Sequence, residues 1–269
     1  MKRFALIGKD IQYSFSPFIH KYCYRNLSVD ANYNIIDIAS KSKIIDVIKL
    51  LKEGELDGIN ITTPYKQEFI KYAEQLNPRA ESIGSINCIH NNNGKLIGNN
   101  TDWFGFAKSI EHFKDYESVA ILGTGGAVLP IIYYFESRLS CPVHIIGRDQ
   151  TKLDGFKKNN ISSHNINNLN LDLKRCLIIN ATLNKATIEW GNLIPKITSM
   201  PLYAMDLNYH LKATEFLNYF NSDVKIKNGL DMLIYQALMS IDIWLSDNLS
   251  GSIDFEDLKK NITEQHYDE

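Results

Sequence analysis

The chain has 269 residues, 44% of them hydrophobic and 22% charged, an ordinary globular composition with length for one large or two smaller domains. Its 29 basic and 31 acidic side chains leave a formal charge of −2, which argues against a nucleic-acid groove or a polybasic membrane patch. The apolar run Phe4 to Ile7 is too short for a signal-peptide core and no later run matches a membrane span, so the expectation is a cytoplasmic protein.

In chain order, short β-branched runs alternate with stretches whose apolar residues recur every three or four positions. "RFALIG" predicts a strand, and "SPFIHKYCYRN" a helix with Ser16 as N-cap and Pro17 at its first position. Two hydroxyls around one aromatic, Ser14 and Ser16, also suit a ligand, and the residues alone leave both readings open. "NYNIID" follows as a strand, "KSKIIDVIKLLKEG" as a helix, and "GINIT" and "INCIH" as strands. "KLIGNN" folds back on "INCIH" through the turn "NNNG" at 91–94.

A second series runs through "SVAILG" at 118, "VHIIG" at 143, "CLIINAT" at 176, "LYAMDLN" at 202 and "DVKIKNG" at 223. Asn159 to Asn170 reads as a solvated loop with one short strand. The chain ends on an amphipathic helix, "DMLIYQALMSIDIWLSDN", and a more polar one, "DFEDLKKNITEQH". No internal repeat is present. The pattern predicts two α/β units with mostly parallel sheets. Cys23, Cys88, Cys141 and Cys176 show no CxxC and no zinc-type His spacing, and read as reduced, buried thiols without a metal.

Four stretches carry chemistry. "SVAILGTGGAVLP" sets Gly123, Thr124, Gly125, Gly126 and Ala127 between a strand and a helix, where backbone N–H groups can approach a pyrophosphate. The next strand ends on Gly147, Arg148 and Asp149, with Lys152 one turn on. Arg148 favours the 2′-phosphate of NADP, whereas Asp149 favours the free 2′-hydroxyl of NAD; the reading leans to NADP with NAD as the alternative. "GINITTPYKQEF" places Asn60, Thr62 and Lys66 at a strand's end, and "GNNTDWFGF" places Asp102 before a helix. A Lys beside an Asp can handle the proton of a carbinol oxygen next to a hydride carrier. Their structural rivals are Asp102 as an N-cap and Lys66 as a surface charge.

Taken in order, "YSFSPFIH", "GINITTPYK", "AESIGSIN", "GNNTDWFGF", "LGTGGA", "GRDQTK", "INAT", "MDLNY" and "NGLDMLIYQALMSIDIW" resemble the shikimate dehydrogenase family nearly end to end. The resemblance implies an α/β substrate domain over 1–102, completed by C-terminal helices 236–269, and a Rossmann-type NADP domain over 103–235. It implies reversible reduction of 3-dehydroshikimate to shikimate by NADPH without metal, with Lys66 as acid/base and Asp102 as its orienting partner. Ser14 and Ser16 would hold the substrate carboxylate with Tyr209 nearby, while Asn60, Thr62, Asn87 and Gln236 would hold the ring hydroxyls. Gln236 has a structural rival, since Met232, Leu233 and Ile243 on its helix suit the core. The glycine turn, Gly147, Arg148, Asp149, Lys152, Ala181 and Thr182 would hold the cofactor, with Gly229 and Met232 at the nicotinamide. The expected partners are these small molecules, with no nucleic acid and no membrane, and the protein a monomer or homodimer.

The departures from the family cluster on the cofactor side. Gly147-Arg148-Asp149 replaces the usual Asn-Arg-Thr, Pro130 stands where a small residue is usual, Leu183-Asn184-Lys185 follows "INAT" without the usual glycine, and Leu211 replaces a proline. On the substrate side, Tyr13 stands where His is frequent and Cys88 where Thr is frequent. They leave two rivals: a quinate/shikimate or aminoshikimate dehydrogenase using NAD, favoured by Asp149, and a non-catalytic relative that senses shikimate-pathway metabolites.

Overall fold

The computed structural model describes residues 1–138, 141–156, 160–182, 188–209 and 212–266. These form two compact units, one of residues 1–106 and 233–266 and the other of the described residues between 107 and 232.

In the first unit, β1 (Lys2–Gly8), α1 (Ser16–Asn26), β2 (Ala31–Asp37), α2 (Ile44–Lys52) and β3 (Gly58–Ile61) alternate as strand and helix. The short β4 (Gln75–Leu76), α3 (Pro78–Ile83), β5 (Cys88–Asn92), β6 (Lys95–Asn99) and α4 (Asp102–Ser109) follow. The sheet order is β2-β1-β3-β5-β6-β4. β2, β1 and β3 are parallel, as a strand-helix-strand pattern requires. β5 alone is antiparallel, to both its neighbours, so the sheet is mostly parallel, as expected, with one reversed strand. The reason is the turn at Asn93 and Gly94, both at positive φ, which joins adjacent antiparallel strands in a two-residue hairpin. That hairpin was expected from the sequence, which passed over only β4 and α3, too short to show a period.

One face of this sheet buries Ala5, Ile7, Ile59, Ile61 and Ile89 against Val47 and Leu51 of α2 and against Phe69. An aromatic group forms a second focus: Phe4 stacks on Trp244 at 4.3 Å, and the His20 ring stacks on Tyr33 at 3.9 Å. His20 is fully buried and exchanges a hydrogen bond with the Tyr24 hydroxyl at 3.2 Å. Burial pushes its pKa down to about 3, against a smaller opposing effect of the Asn60 side chain. The unfolded chain therefore takes up a proton near the ordinary histidine value of 6.5 that the folded chain refuses until about pH 3. Stability from this group is complete above pH 6.5 and is lost as the pH falls through that window. Denaturant titrations at pH 7 and pH 5 should differ by about 2 kcal/mol from His20 alone, and His20→Phe should remove that difference. An unchanged pH dependence in the variant would refute it.

The second unit contains β7 (Ser118–Leu122), α5 (Val128–Arg138), β8 (Val143–Gly147), α6 (Gln150–Asp154), β9 (Ile161–Asn165) and β10 (Leu173–Asn180). It continues through α7 (Trp190–Leu193), β11 (Thr198–Asp206), α8 (Glu215–Asn218) and β12 (Lys225–Lys227). All six strands are parallel in the order β12-β11-β10-β7-β8-β9. Numbered in chain order from β7 and read from the β9 edge, that is the 3-2-1-4-5-6 order of a Rossmann sheet, whose direction of winding reverses between β7 and β10. β9 is the one short strand expected in the Asn-rich segment.

Two further helices, α9 (Leu230–Leu245) and α10 (Phe255–His266), end the chain. The helices α4 and α9 each contribute residues to both units. From Leu233 on, α9 belongs to the first unit, where the Trp244 indole N–H donates to the Ile89 carbonyl at 3.1 Å. Among the described residues no helix is long and apolar enough to cross a membrane.

Candidate active site

Lys66 follows β3 by a short turn, whose Tyr65 ring is buried and donates its hydroxyl to the Ile38 carbonyl at 2.8 Å. The Lys66 carbonyl accepts from the Ile86 N–H at 3.0 Å, which ties this turn to the segment entering β5. The Lys66 ammonium meets Asp102 Oδ2 at 2.7 Å, with side chains only 14% and 8% exposed. Asp102 is the first residue of α4, and its own N–H donates to Asn100 Oδ1 at 3.0 Å. Asn100 thus serves the first N–H of α4, and the Asp102 carboxylate is engaged by Lys66 and by Asn87 Nδ2 at 2.9 Å. An ion pair this far from water contributes little to stability, because desolvation offsets the attraction. An ammonium held by a carboxylate can pass a proton to an oxygen within hydrogen-bond reach.

A buried polar network continues from the pair. Asn87 Nδ2 also lies 2.9 Å from Thr101 Oγ1 and 3.3 Å from Gln236 Oε1. Asn60 donates to the Asn87 carbonyl at 3.1 Å and to Ser240 Oγ at 2.9 Å, and accepts from the Tyr33 hydroxyl at 3.0 Å. Gln236 is buried on α9, so the helix face carrying it is not simply apolar core. Met232 is buried, while Leu233 and Ile243 are half-buried and the deepest apolar contacts of α9 come from Ile234, Ala237 and Ile241.

The two serines sit on the loop leaving β1. That loop is fastened to the one leaving β3, since the Thr62 N–H donates to the Ile7 carbonyl and the Lys9 N–H to the Thr63 carbonyl. Both loops thus leave the carboxyl ends of neighbouring parallel strands, where ligands of open α/β sheets gather. Ser16 is not the N-cap of α1: the helix starts on Ser16, and Phe15 occupies the cap position without a side-chain hydrogen bond. Ser14 Oγ instead accepts from the Ser16 N–H at 3.2 Å and lies 3.1 Å from Ser16 Oγ. The backbone had to be seen to shift the cap by one residue, because Ser and Pro spacing allows either start. Thr62 is half-buried just past β3.

In the second unit, the turn after β7 begins on Gly123 at φ +119°, where a Cβ would lie 2.9 Å from the Ala181 carbonyl oxygen. Glycine is required there on both counts. The Gly123 N–H donates to the Ile146 carbonyl and the Ala181 N–H to the Leu122 carbonyl, so the turn lies at the ends of β7, β8 and β10 together. Thr124, Gly126 and Ala127 are half-buried, Gly125 is exposed, and α5 starts on Val128. Gly147 approaches this turn closely, since a Cβ on it would come within 2.6 Å of Thr124 Cγ2. Arg148, Asp149 and Lys152 are exposed beside it. Asp149 is the N-cap of α6: it accepts from the Lys152 N–H at 3.3 Å, and its other oxygen lies 4.0 Å from the Lys152 ammonium. Beyond β10, Asn180 accepts from the Thr182 N–H and hydroxyl and donates to the fully buried Asp206, which also accepts from Asn208 and Thr214. Gly229 is buried with its N–H on the Asn208 carbonyl, and Tyr209 is half-buried. Among the described residues no three His, Cys, Asp or Glu side chains gather as a metal site would need.

Comparison with known proteins fits this geometry. Residues 6–89 match the model of the shikimate dehydrogenase substrate binding domain. The chain is 30% identical over 280 residues to the shikimate dehydrogenase (NADP(+)) of Caldicellulosiruptor saccharolyticus, covering 97% of this chain and 98% of that one. It is 33% identical over 250 residues to the enzyme of the same name from Pyrococcus abyssi, covering 91% and 92%. The chain belongs to the shikimate dehydrogenase family. The crystal structure of shikimate dehydrogenase 1 from Peptoclostridium difficile superposes with a TM-score of 0.82 at 29% identity, covering 98% of this chain and 97% of that one.

Within the shikimate dehydrogenase family, several departures of this chain acquire a structural account. Pro130 is the third residue of α5, where its missing N–H would have had no partner within the helix, so no kink is needed. Glycine in place of Asn at 147 goes with the close approach of Thr124. Cys88 is buried near Ser240 and Trp244, and burial pushes its thiol up to about 12, so it stays neutral and packs as a small apolar group. Tyr13 is 68% exposed. Leu183, Asn184, Lys185 and Leu211 lie outside the described residues. Sequence reasoning missed Thr101, Ser240 and Asp206, all fully buried polar residues. Ser240 follows Gln236 by one helical turn, a spacing that puts both on one face.

Proposed function

We propose that this protein is an NADP-dependent shikimate dehydrogenase, reducing 3-dehydroshikimate to shikimate reversibly. The observation that carries the reading is the shielded Lys66–Asp102 pair, set at the carboxyl edge of β3 and joined to the Asn87 and Gln236 amides. In the reducing direction the Lys66 ammonium gives its proton to the carbonyl oxygen as that oxygen gains negative charge. Asp102 holds the ammonium in place and stays behind as its counter-charge. In the oxidising direction Lys66 takes the hydroxyl proton back. Asn60, Thr62, Asn87 and Gln236 hold the ring hydroxyls, and Ser14 and Ser16 hold the carboxylate.

The second unit fits NADP: the turn at Gly123 frees backbone N–H groups beside α5, and Arg148 stands exposed at the end of β8. Bound NADPH supplies the hydride. The capping role of Asp149 weakens the case for NAD, because its carboxylate already serves the Lys152 N–H and faces the Lys152 ammonium.

The test is an initial-rate assay with shikimate and either NADP or NAD, followed by nicotinamide absorbance. Strong preference for NADP is expected. Protein that binds shikimate yet turns over neither cofactor would replace this reading with that of a sensor. Ser14→Ala should raise the KM for shikimate by roughly ten- to a hundredfold, the worth of one hydrogen bond to a charged group, with kcat nearly unchanged. An unchanged KM would leave Ser14 only its bond to the Ser16 N–H.

A further inference from the structure

We propose that the hydroxyl of Thr101, seated on Ser240, is a positioning group for the catalytic pair: it fixes the rotation of the Asn87 amide and, through it, the Asp102 carboxylate. The proposal rests on the dehydrogenase reading and adds two residues to that site. Proton counting gives each bond its direction. Ser240 has one hydroxyl proton and donates it to the Gln236 carbonyl one turn back, at 2.9 Å. Its oxygen can then only accept, from Asn60 Nδ2 at 2.9 Å and from Thr101 at 3.2 Å. The Thr101 proton has its nearest acceptor in Ser240, ahead of Asn87 Oδ1 at 3.3 Å and Gln236 Oε1 at 3.4 Å, and with the proton there the lone pairs of Thr101 Oγ1 face Asn87 Nδ2 at 2.9 Å.

The two ends of the Asn87 amide cannot exchange. Its oxygen accepts from the Thr101 backbone N–H at 2.6 Å, a group that can only donate. Nδ2 must lie on the other side, with one proton on Thr101 Oγ1 and one on Asp102 Oδ1 at 2.9 Å. Asp102 thus meets a donor on each oxygen, Asn87 on one and Lys66 on the other. Thr101 and Ser240 are both fully buried, so water cannot take over for a deleted hydroxyl. Without the Thr101 hydroxyl, the nearest remaining acceptor for the freed Asn87 proton is Gln236 Oε1 at 3.3 Å. A turn of the amide towards Gln236 draws Nδ2 away from Asp102, and the carboxylate loses its second anchor.

The experiment compares wild type, Thr101→Val and Thr101→Ser in shikimate oxidation with NADP, each checked for a cooperative melt. Valine keeps the shape and the backbone N–H but deletes the hydroxyl. The expected result is a ten- to hundredfold fall in kcat with the KM for shikimate changed less than threefold, and recovery to within threefold of wild type in Thr101→Ser. A lowered melting temperature with kcat unchanged would mean that the hydroxyl serves the fold alone, and would overturn the proposal. If Thr101→Val does not fold, Ser240→Ala decides: a loss of at least fivefold in kcat supports the tie, and no loss overturns it. Absence of shikimate-dependent turnover in the wild type would instead overturn the dehydrogenase reading, before any variant is compared.

Discussion

Lys66→Ala is expected to lower kcat by about a thousandfold or more while the KM for shikimate shifts by less than about fivefold, in line with the loss of a positioned acid/base. The reasoning starts from the 2.7 Å contact with Asp102. A side chain that meets the substrate only at the oxygen undergoing proton transfer is felt mainly in the transition state, so its loss falls on kcat. The variant also leaves Asp102 with one of its two donors, in a position only 8% exposed. Removing one member of a shielded pair costs about 3 kcal/mol of stability, so a melting curve must accompany the kinetics. Steady-state rates on folded variant decide the matter. A KM effect alone would show that Lys66 binds substrate and leaves the proton to another group.

Arg148→Ala is expected to raise the KM for NADP by roughly ten- to a hundredfold and to leave the use of NAD nearly untouched. A guanidinium facing a phosphate makes charge-assisted hydrogen bonds worth about 1.5–3 kcal/mol, and NAD has no phosphate at that place. Arg148 is exposed at the end of β8, and its neighbour Asp149 is engaged in capping α6. The change should therefore narrow the preference between the two cofactors without creating a new affinity for NAD. Parallel titrations of NADP and NAD at saturating shikimate test it. Equal losses with both would assign Arg148 to the adenine or the ribose, and no loss with either would leave it a surface charge.

Much of the site was legible in the chain because its chemistry follows strand ends. A period-two run that stops at Ile61, followed by Thr62 and Lys66, marks the carboxyl edge of a strand, and the glycines after Leu122 mark another. Legibility failed where function depended on hydrogen-bond direction or on short elements. β4 and α3 carry too few residues to show a period, whereas the hairpin of β5 and β6 was legible in its "NNNG" turn. Thr101 and Ser240 look like ordinary polar residues in a motif and on a helix. They matter because both are buried against Asn87 and Asn60, which lie far away in the chain.

By itself the sequence determined the two α/β series, the glycine turn with Arg148 beyond it, and the residue types of the proton-handling pair. Those features are local: a strand, a turn and a helix start are set by side chains within a few positions of one another. Only the tertiary structure decided that Lys66 and Asp102 meet, which takes the Asp102 carboxylate away from capping α4. Ion pairing and capping compete for the same carboxylate oxygens. Which partner wins depends on burial and on chain segments brought together from afar, which spacing along the chain does not encode.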